Sequence, residues 1–111
     1  MLFRSLATGS RDKTVTLWDL EKSDNSVEKI ITHKFDDSVT TIEKLGKNRL
    51  AVGFEQGNIL VTDLKFEKVE LVGKHNGLVK RLAYNEEMSM LLSCSEDGQV
   101  RIYDFLDYDF C

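Results

Sequence analysis

The stretch Leu6-Ala7-Thr8-Gly9-Ser10-Arg11-Asp12-Lys13-Thr14-Val15-Thr16-Leu17-Trp18-Asp19-Leu20 decides the fold. It opens on small and apolar residues and breaks at the polar pair Asp12-Lys13. It then alternates, with Val15 and Leu17 on one face and Thr14, Thr16 and Trp18 on the other. Period-two alternation of β-branched and aromatic residues is the pattern of a pleated strand. The stretch therefore predicts a β-hairpin.

The same pattern is written twice more. Leu50-Ala51-Val52-Gly53-Phe54-Glu55-Gln56-Gly57-Asn58-Ile59-Leu60-Val61-Thr62-Asp63-Leu64 matches it column by column. So does Leu91-Leu92-Ser93-Cys94-Ser95-Glu96-Asp97-Gly98-Gln99-Val100-Arg101-Ile102-Tyr103-Asp104-Phe105. The copies are offset by 44 and 41 residues and need no gap within them. Gln56-Gly57 and Asp97-Gly98 suit the tight primed turns that right-twisted hairpins favour.

A repeat of about 40–45 residues closing on Trp-Asp is the signature of WD40 β-propellers, and the chain resembles that family over nearly its whole length. Gly9-Ser10-Arg11-Asp12-Lys13-Thr14 through Leu17-Trp18-Asp19 carries the resemblance most specifically. Thr62-Asp63 and Tyr103-Asp104 depart from the family's Trp-Asp. The fold this implies is all-β: about two and a half propeller blades, the C-terminal fragment of a larger propeller.

Along the chain, the first hairpin supplies strands over Leu6–Arg11 and Thr14–Asp19. Val27–Thr32 reads as an outermost strand covering the next blade, and Ser38–Lys44 as an innermost strand, with Val39 and Ile42 apolar. Gly46-Lys47-Asn48 is a turn signal. After the second hairpin come an outer strand over Lys68–Val72 and an inner strand over Leu78–Tyr84. Val79 and Leu82 stand there in the columns of Val39 and Ile42. The third hairpin begins with a strand over Met90–Ser95 and ends at Phe105, leaving a tail over 106–111. The repeat units are thus a partial blade over 1–20, then blades over 27–64 and 67–105: ten strands and no helix. An isolated array of this size leaves apolar side chains such as Val15, Leu17 and Ile102 on open outer faces. It therefore belongs to a longer protein or assembles with other chains.

With 111 residues, the chain has room for one ordinary domain. Its 41% hydrophobic and 31% charged residues suit a globular chain rather than a disordered one. A net charge of −4 without a basic run argues against direct nucleic-acid binding. No apolar run approaches the roughly 20 residues that span a bilayer, so no membrane partner is expected. Met1-Leu2-Phe3-Arg4-Ser5 is too short and too soon charged for a signal peptide. Cys94 and Cys111 read as free thiols in a reducing compartment, the cytoplasm or also the nucleus, with Cys94 a small core residue.

Few residues suggest chemistry. His33 and His75 are the only histidines, and each precedes an inner strand. The resemblance implies that a histidine there joins a buried hydrogen-bond chain with a strand Ser or Thr, the turn aspartate and the tryptophan. His75 with Asp97 and Tyr103 matches part of that pattern, as Asp12 and Trp18 do in the first copy. His33 faces Gln56 and Thr62, a degraded version. No Ser-His-Asp order and no Cys/His ligand spacing supports catalysis or a metal. Asp19, Asp63 and Asp104 recur in one column, one per blade, and so do not converge. Gly53 and Gly57 lack the Gly-Lys-Ser/Thr of a phosphate loop. No enzyme activity and no cofactor is expected. Arg11, Glu55 and Glu96 are the better candidates. Each adjoins its turn, in a column that the family directs to the partner-binding top face, and loop-tip side chains on a rigid scaffold are where binding concentrates.

Finer details are similar to the closing repeats of the WD-repeat subunits of the Elongator complex. They run in order: Ser10-Arg11-Asp12-Lys13-Thr14-Val15, Ser38-Val39-Thr40-Thr41-Ile42, Leu50-Ala51-Val52-Gly53-Phe54-Glu55-Gln56-Gly57, Val79-Lys80-Arg81-Leu82, and Ser93-Cys94-Ser95-Glu96-Asp97-Gly98-Gln99-Val100-Arg101-Ile102. That similarity implies a scaffold holding the largest and catalytic Elongator subunits together, in a complex that modifies the wobble uridine of tRNA. The alternative is a WD40 adaptor of another intracellular complex, in ubiquitin ligation or ribosome assembly.

Overall fold

Each alternating stretch forms an antiparallel hairpin: β1 (Ser5–Gly9) with β2 (Thr14–Asp19), β5 (Arg49–Phe54) with β6 (Asn58–Asp63), and β9 (Met90–Ser95) with β10 (Val100–Asp104). The registers repeat, with Ala7 opposite Leu17, Ala51 opposite Val61 and Leu92 opposite Ile102. In this computed structural model, which describes residues 5–19, 28–46 and 48–105, the remaining strands are β3 (Glu28–Lys34), β4 (Val39–Leu45), β7 (Val69–Lys74) and β8 (Val79–Asn85). Among the described residues there is no helix. Residues 106–111, with the proposed tail and Cys111, lie outside the described residues, as do the start of the outer strand expected at Val27 and Lys47 of the expected turn.

The strands make three sheets in the orders β1-β2-β3, β4-β5-β6-β7 and β8-β9-β10. The fold is therefore all-β, with a four-stranded blade between two sheets of three strands each among the described residues. The expected outer strand pairs differently from the sequence reading. β3 hydrogen-bonds to β2, with Thr16 opposite Thr32, so it finishes the first sheet instead of covering the next. β7 finishes the middle sheet in the same way. An outer strand follows its hairpin in the chain, and a short connection favours pairing with it directly. The repeat read from sequence is thus offset by one strand from the sheet.

The middle sheet lies between the other two. One of its faces packs Ala51, Ile59 and Val61 against Val79, Leu82 and Leu91 of the third sheet. The other packs Leu50, Val52 and Phe54 against Val15 and Leu17 of the first. A strand covered on both faces reads as a continuous apolar run, which is why β5 is Leu50-Ala51-Val52-Gly53-Phe54 and is buried from Leu50 onward. This also corrects an expectation. Val15 and Leu17 do not lie on an open face; they are 0% and 3% exposed beneath the middle sheet. Ile102, on the edge strand β10, is 63% exposed. Cys94 is half-buried rather than a core residue.

Polar contacts fix how the sheets sit. The Thr40 hydroxyl donates to the Val79 carbonyl at 2.6 Å, and the Tyr84 amide donates to Glu43 Oε2 at 2.8 Å. β4 and β8 each begin with a register shift at the same place, Val39/Thr41 and Val79/Arg81. The repeat therefore extends to its irregularities.

Candidate functional site

The three hairpin turns share one backbone. Lys13, Gly57 and Gly98 have φ of 76°, 103° and 83°, and their amides donate to the carbonyls of Ser10, Phe54 and Ser95. The two residues before each of them are not left-handed. These are not the primed turns expected from Gln-Gly and Asp-Gly. A type I turn followed by one left-handed residue makes a three-residue hairpin loop. Gly57 is doubly required, because a Cβ there would collide with the His75 carbonyl.

The turns carry Arg11, Glu55 and Glu96 at the same end of three successive sheets, with all three side chains exposed. Their backbones are pinned to the connectors between sheets. The Ser38 hydroxyl donates to the Arg11 carbonyl at 3.0 Å, the Glu55 amide to the Ser38 carbonyl at 3.0 Å, and the Glu96 amide to the Leu78 carbonyl at 2.9 Å. The result is a row of solvent-facing charges on immobilised turns.

Behind the third turn lies a polar chain. His75 is 0% exposed; its Nδ1 is 3.1 Å from Asp97 Oδ2 and its Nε2 is 2.7 Å from Ser93 Oγ. Asp97 also accepts the amides of Asn76 at 2.9 Å and Gln99 at 2.8 Å. Partial burial works to raise the Asp97 pKa, but the Gln99 and Asn76 amides and His75 outweigh it and hold the group at about 2. A carboxylate accepting several hydrogen bonds favours its charged form. The Asp12 carboxyl in the first turn is also held low, chiefly by the Thr14 hydroxyl at 2.5 Å.

The structure brings together His75 and Asp97, which the sequence pattern paired, and adds Ser93, which that pattern did not name. The signal was available, since Ser93 stands in the column of Thr8, and Thr8 accepts the Trp18 indole N–H at 2.9 Å. Tyr103 does not join the chain. Its hydroxyl is buried and has no hydrogen-bond partner among the described residues, and its ring lies against Gly73, where a Cβ would strike it. Ser93, His75 and Asp97 resemble an acyl-transfer relay in connectivity. Ser93 is 1% exposed, however, so its hydroxyl meets no solvent-borne substrate. The chain fixes the turn to the connector.

His33 is the main correction. It does not face Gln56 and Thr62; it stacks on Phe66 at 4.9 Å and 8° and meets Phe35 edge-on at 4.7 Å. The counterpart of His75 is Phe35. The Phe35 amide donates to the Lys13 carbonyl as the His75 amide donates to that of Gly57, both at 2.8 Å. Phe35 precedes Val39, and His75 precedes Val79, by the same four residues. Gln56 instead donates its amide to Asp37 Oδ2 at 2.8 Å.

The recurring aspartates do not converge. Asp63 accepts the Glu67 and Lys68 amides at 2.9 and 3.2 Å and closes the turn after β6. Asp104 ends β10 and is exposed. Asp19 ends β2, and its side chain is outside the described residues. Among the described residues, no group of three or more His, Cys, Asp or Glu is placed to hold a metal ion, and no helix is long and apolar enough to cross a membrane.

Comparison with known proteins agrees with this geometry. Residues 47–109 match the family described as the anaphase-promoting complex subunit 4 WD40 domain, and residues 3–19 match the WD domain, G-beta repeat. Elongator complex protein 2 of Arabidopsis thaliana is 29% identical over 89% of this chain and 15% of its own length. The WD repeat-containing protein 55 homolog of Drosophila melanogaster is 30% identical over 91% of this chain and 20% of its own. Transcription initiation factor TFIID subunit 5 of the same fly is 31% identical over 93% and 13%. The chain thus spans about a fifth or less of each of these relatives. The solved structure of the computationally designed Ika4 protein superposes with a TM-score of 0.73 at 20% identity, over 90% of this chain and 59% of that one.

Proposed function

This chain belongs to the WD40-repeat family, and we propose that it works as a non-catalytic module that presents the Arg11, Glu55 and Glu96 turns to protein partners. The observation that carries this reading is the row of exposed charges on backbones pinned by connector hydrogen bonds. A rigid, pre-ordered rim loses little entropy on binding, and rim charges steer and register association. The buried Ser93 hydroxyl supports the non-catalytic half of the reading.

Within that role, the specific proposal is service in the Elongator complex, on contacts with its largest and catalytic subunits. The ordered run of motifs through the three repeats and the similarity to Elongator complex protein 2 support it. The equal similarity to the WD repeat-containing protein 55 homologs supports the second reading, an adaptor in another complex. Co-purification with the tagged full-length protein separates them. Elongator subunits are expected among the partners. Recovery of a different assembly without any Elongator subunit overturns the specific reading and leaves the general one.

A further inference from the structure

A second surface lies away from the turns. Between the first and middle sheets opens a cleft of about 390 Å³, within the roughly 300–1,000 Å³ of ligand-binding clefts. Its wall is aromatic. Phe35 meets His33 at 4.7 Å and Phe54 at 5.2 Å, both edge-on. His33 is backed by Phe66, stacked on it at 4.9 Å. Phe66 holds φ of 57°, a left-handed conformation that bulky residues rarely adopt.

The opposite wall is aliphatic and uncovered, with Val69 40% and Leu71 60% exposed. Two carboxylates belong to the lining, Asp36 and Asp37. Asp37 is fixed by the Ser38 and Gln56 amides, each at 2.8 Å. Asp36 is exposed and makes no hydrogen bond or ion pair among the described residues. Lys34 is the one cation in the lining, and its charge also acts on Asp12 of the first turn.

We propose that this cleft seats an arginine side chain presented by a protein partner. The guanidinium is planar, stacks on aromatic faces and offers a fork of donors to carboxylates. Its aliphatic stem covers apolar surface such as Leu71 and Val69 while the charge stays with the carboxylates. Lysine shares the aliphatic stem and the charge, but only arginine offers a planar fork that stacks on an aromatic ring while giving two donors to a carboxylate. A protein is the fitting source because the lining adjoins the rim: Asp37 holds the amide of Gln56, the neighbour of Glu55. This inference rests on the reading of the chain as a protein-interaction module.

The test is an NMR titration of the full-length protein with Nα-acetylarginine amide, and in parallel with Nα-acetylcitrulline amide, its uncharged isostere. The arginine amide is expected to shift the His33 and Phe35 ring signals saturably, with the citrulline amide at least about fivefold weaker. Asp36→Asn should weaken the arginine amide about fivefold, and Glu87→Gln, at an exposed site outside the lining, should not. Equal response to the two amides, shifts that map away from His33 and Phe35, or wild-type binding by Asp36→Asn would overturn the proposal. The titration needs no partner protein, so its failure is distinct from failure of the rim reading, which co-purification reports.

Discussion

Two corners of the molecule occupy the same four positions of the repeat and share no residue. At the third sheet they hold His75, Ser93, Asp97 and Tyr103; at the middle sheet, Phe35, Val52, Gln56 and Thr62. The first corner joins turn to connector through a hydrogen-bonded chain. The second does so by packing Phe35 edge-on against Phe54, Phe66 and His33. The difference teaches that these columns change as a set. Ser93 beside a phenylalanine, or His75 beside Val52, would leave a buried polar group without its partner, at about 1–3 kcal/mol each. Both corners still deliver an amide to the left-handed turn residue of the preceding hairpin, so the scaffold is conserved while its fastening differs.

The largest expected effect separates the two glycine turns. Gly57→Ala meets both a left-handed φ and the His75 carbonyl, and should cost at least about 3 kcal/mol. Gly98→Ala meets the φ alone, in open space, and should cost about 1 kcal/mol. Denaturant midpoints in a full-length host decide this, and equal losses would remove the close approach from the account. Trp18→Ala, which loses a half-buried ring and the bond to Thr8, should cost about 3 kcal/mol, well above Thr62→Ala in the same column.

Next comes the set itself. His75→Phe alone strands Ser93 and takes one of three partners from Asp97, and should cost about 2–3 kcal/mol. The triple change His75→Phe, Ser93→Val, Asp97→Gln copies the other corner and should cost less than the sum of its single changes. Strict additivity in the cycle would show that the four columns vary independently.

A smaller effect is confined to acid. Asp97 has a folded pKa of about 2 against 3.8 for the free group. The unfolded chain therefore binds the proton first, and the stability from this group is complete above pH 3.8 and lost as pH falls toward 2. Asp12 acts in the same direction. Asp97→Asn should flatten the loss between pH 4 and 2; an unchanged acid profile would detach Asp97 from the stabilising chain.

The repeat was legible because alternation survives ungapped in all three copies. Strand positions followed from it closely: β2 and β9 lie where the strands over Thr14–Asp19 and Met90–Ser95 were expected. What sequence hid depends on partners across space. Val15 and Leu17 are buried because a second sheet covers them, which no local pattern reveals. His33 was aligned with His75 by residue type, yet the connector before β4 puts Phe35 there, two residues on. Turn type was misread because Gln-Gly and Asp-Gly fit either a primed turn or a type I turn with a left-handed third residue. The Lys13 copy favoured the latter, since it has only one position that needs positive φ. Of the candidate site, the charges at Arg11, Glu55 and Glu96 were legible from the column, and the hydrogen bonds that pin them were not.

The smallest effect on stability belongs to the rim, and it tests the division of labour between scaffold and surface. Arg11→Glu, Glu55→Lys and Glu96→Lys together should shift stability by within about 0.5 kcal/mol, because exposed loop charges contribute little. The decisive measurement sets this variant beside His75→Phe in a tagged full-length protein, scoring midpoint and co-purified partners together. The account predicts an unchanged midpoint with partners lost for the rim variant, and a lowered midpoint with partners kept for His75→Phe below its melting temperature. Partners retained by the rim variant and lost by a still-folded His75→Phe would contradict it.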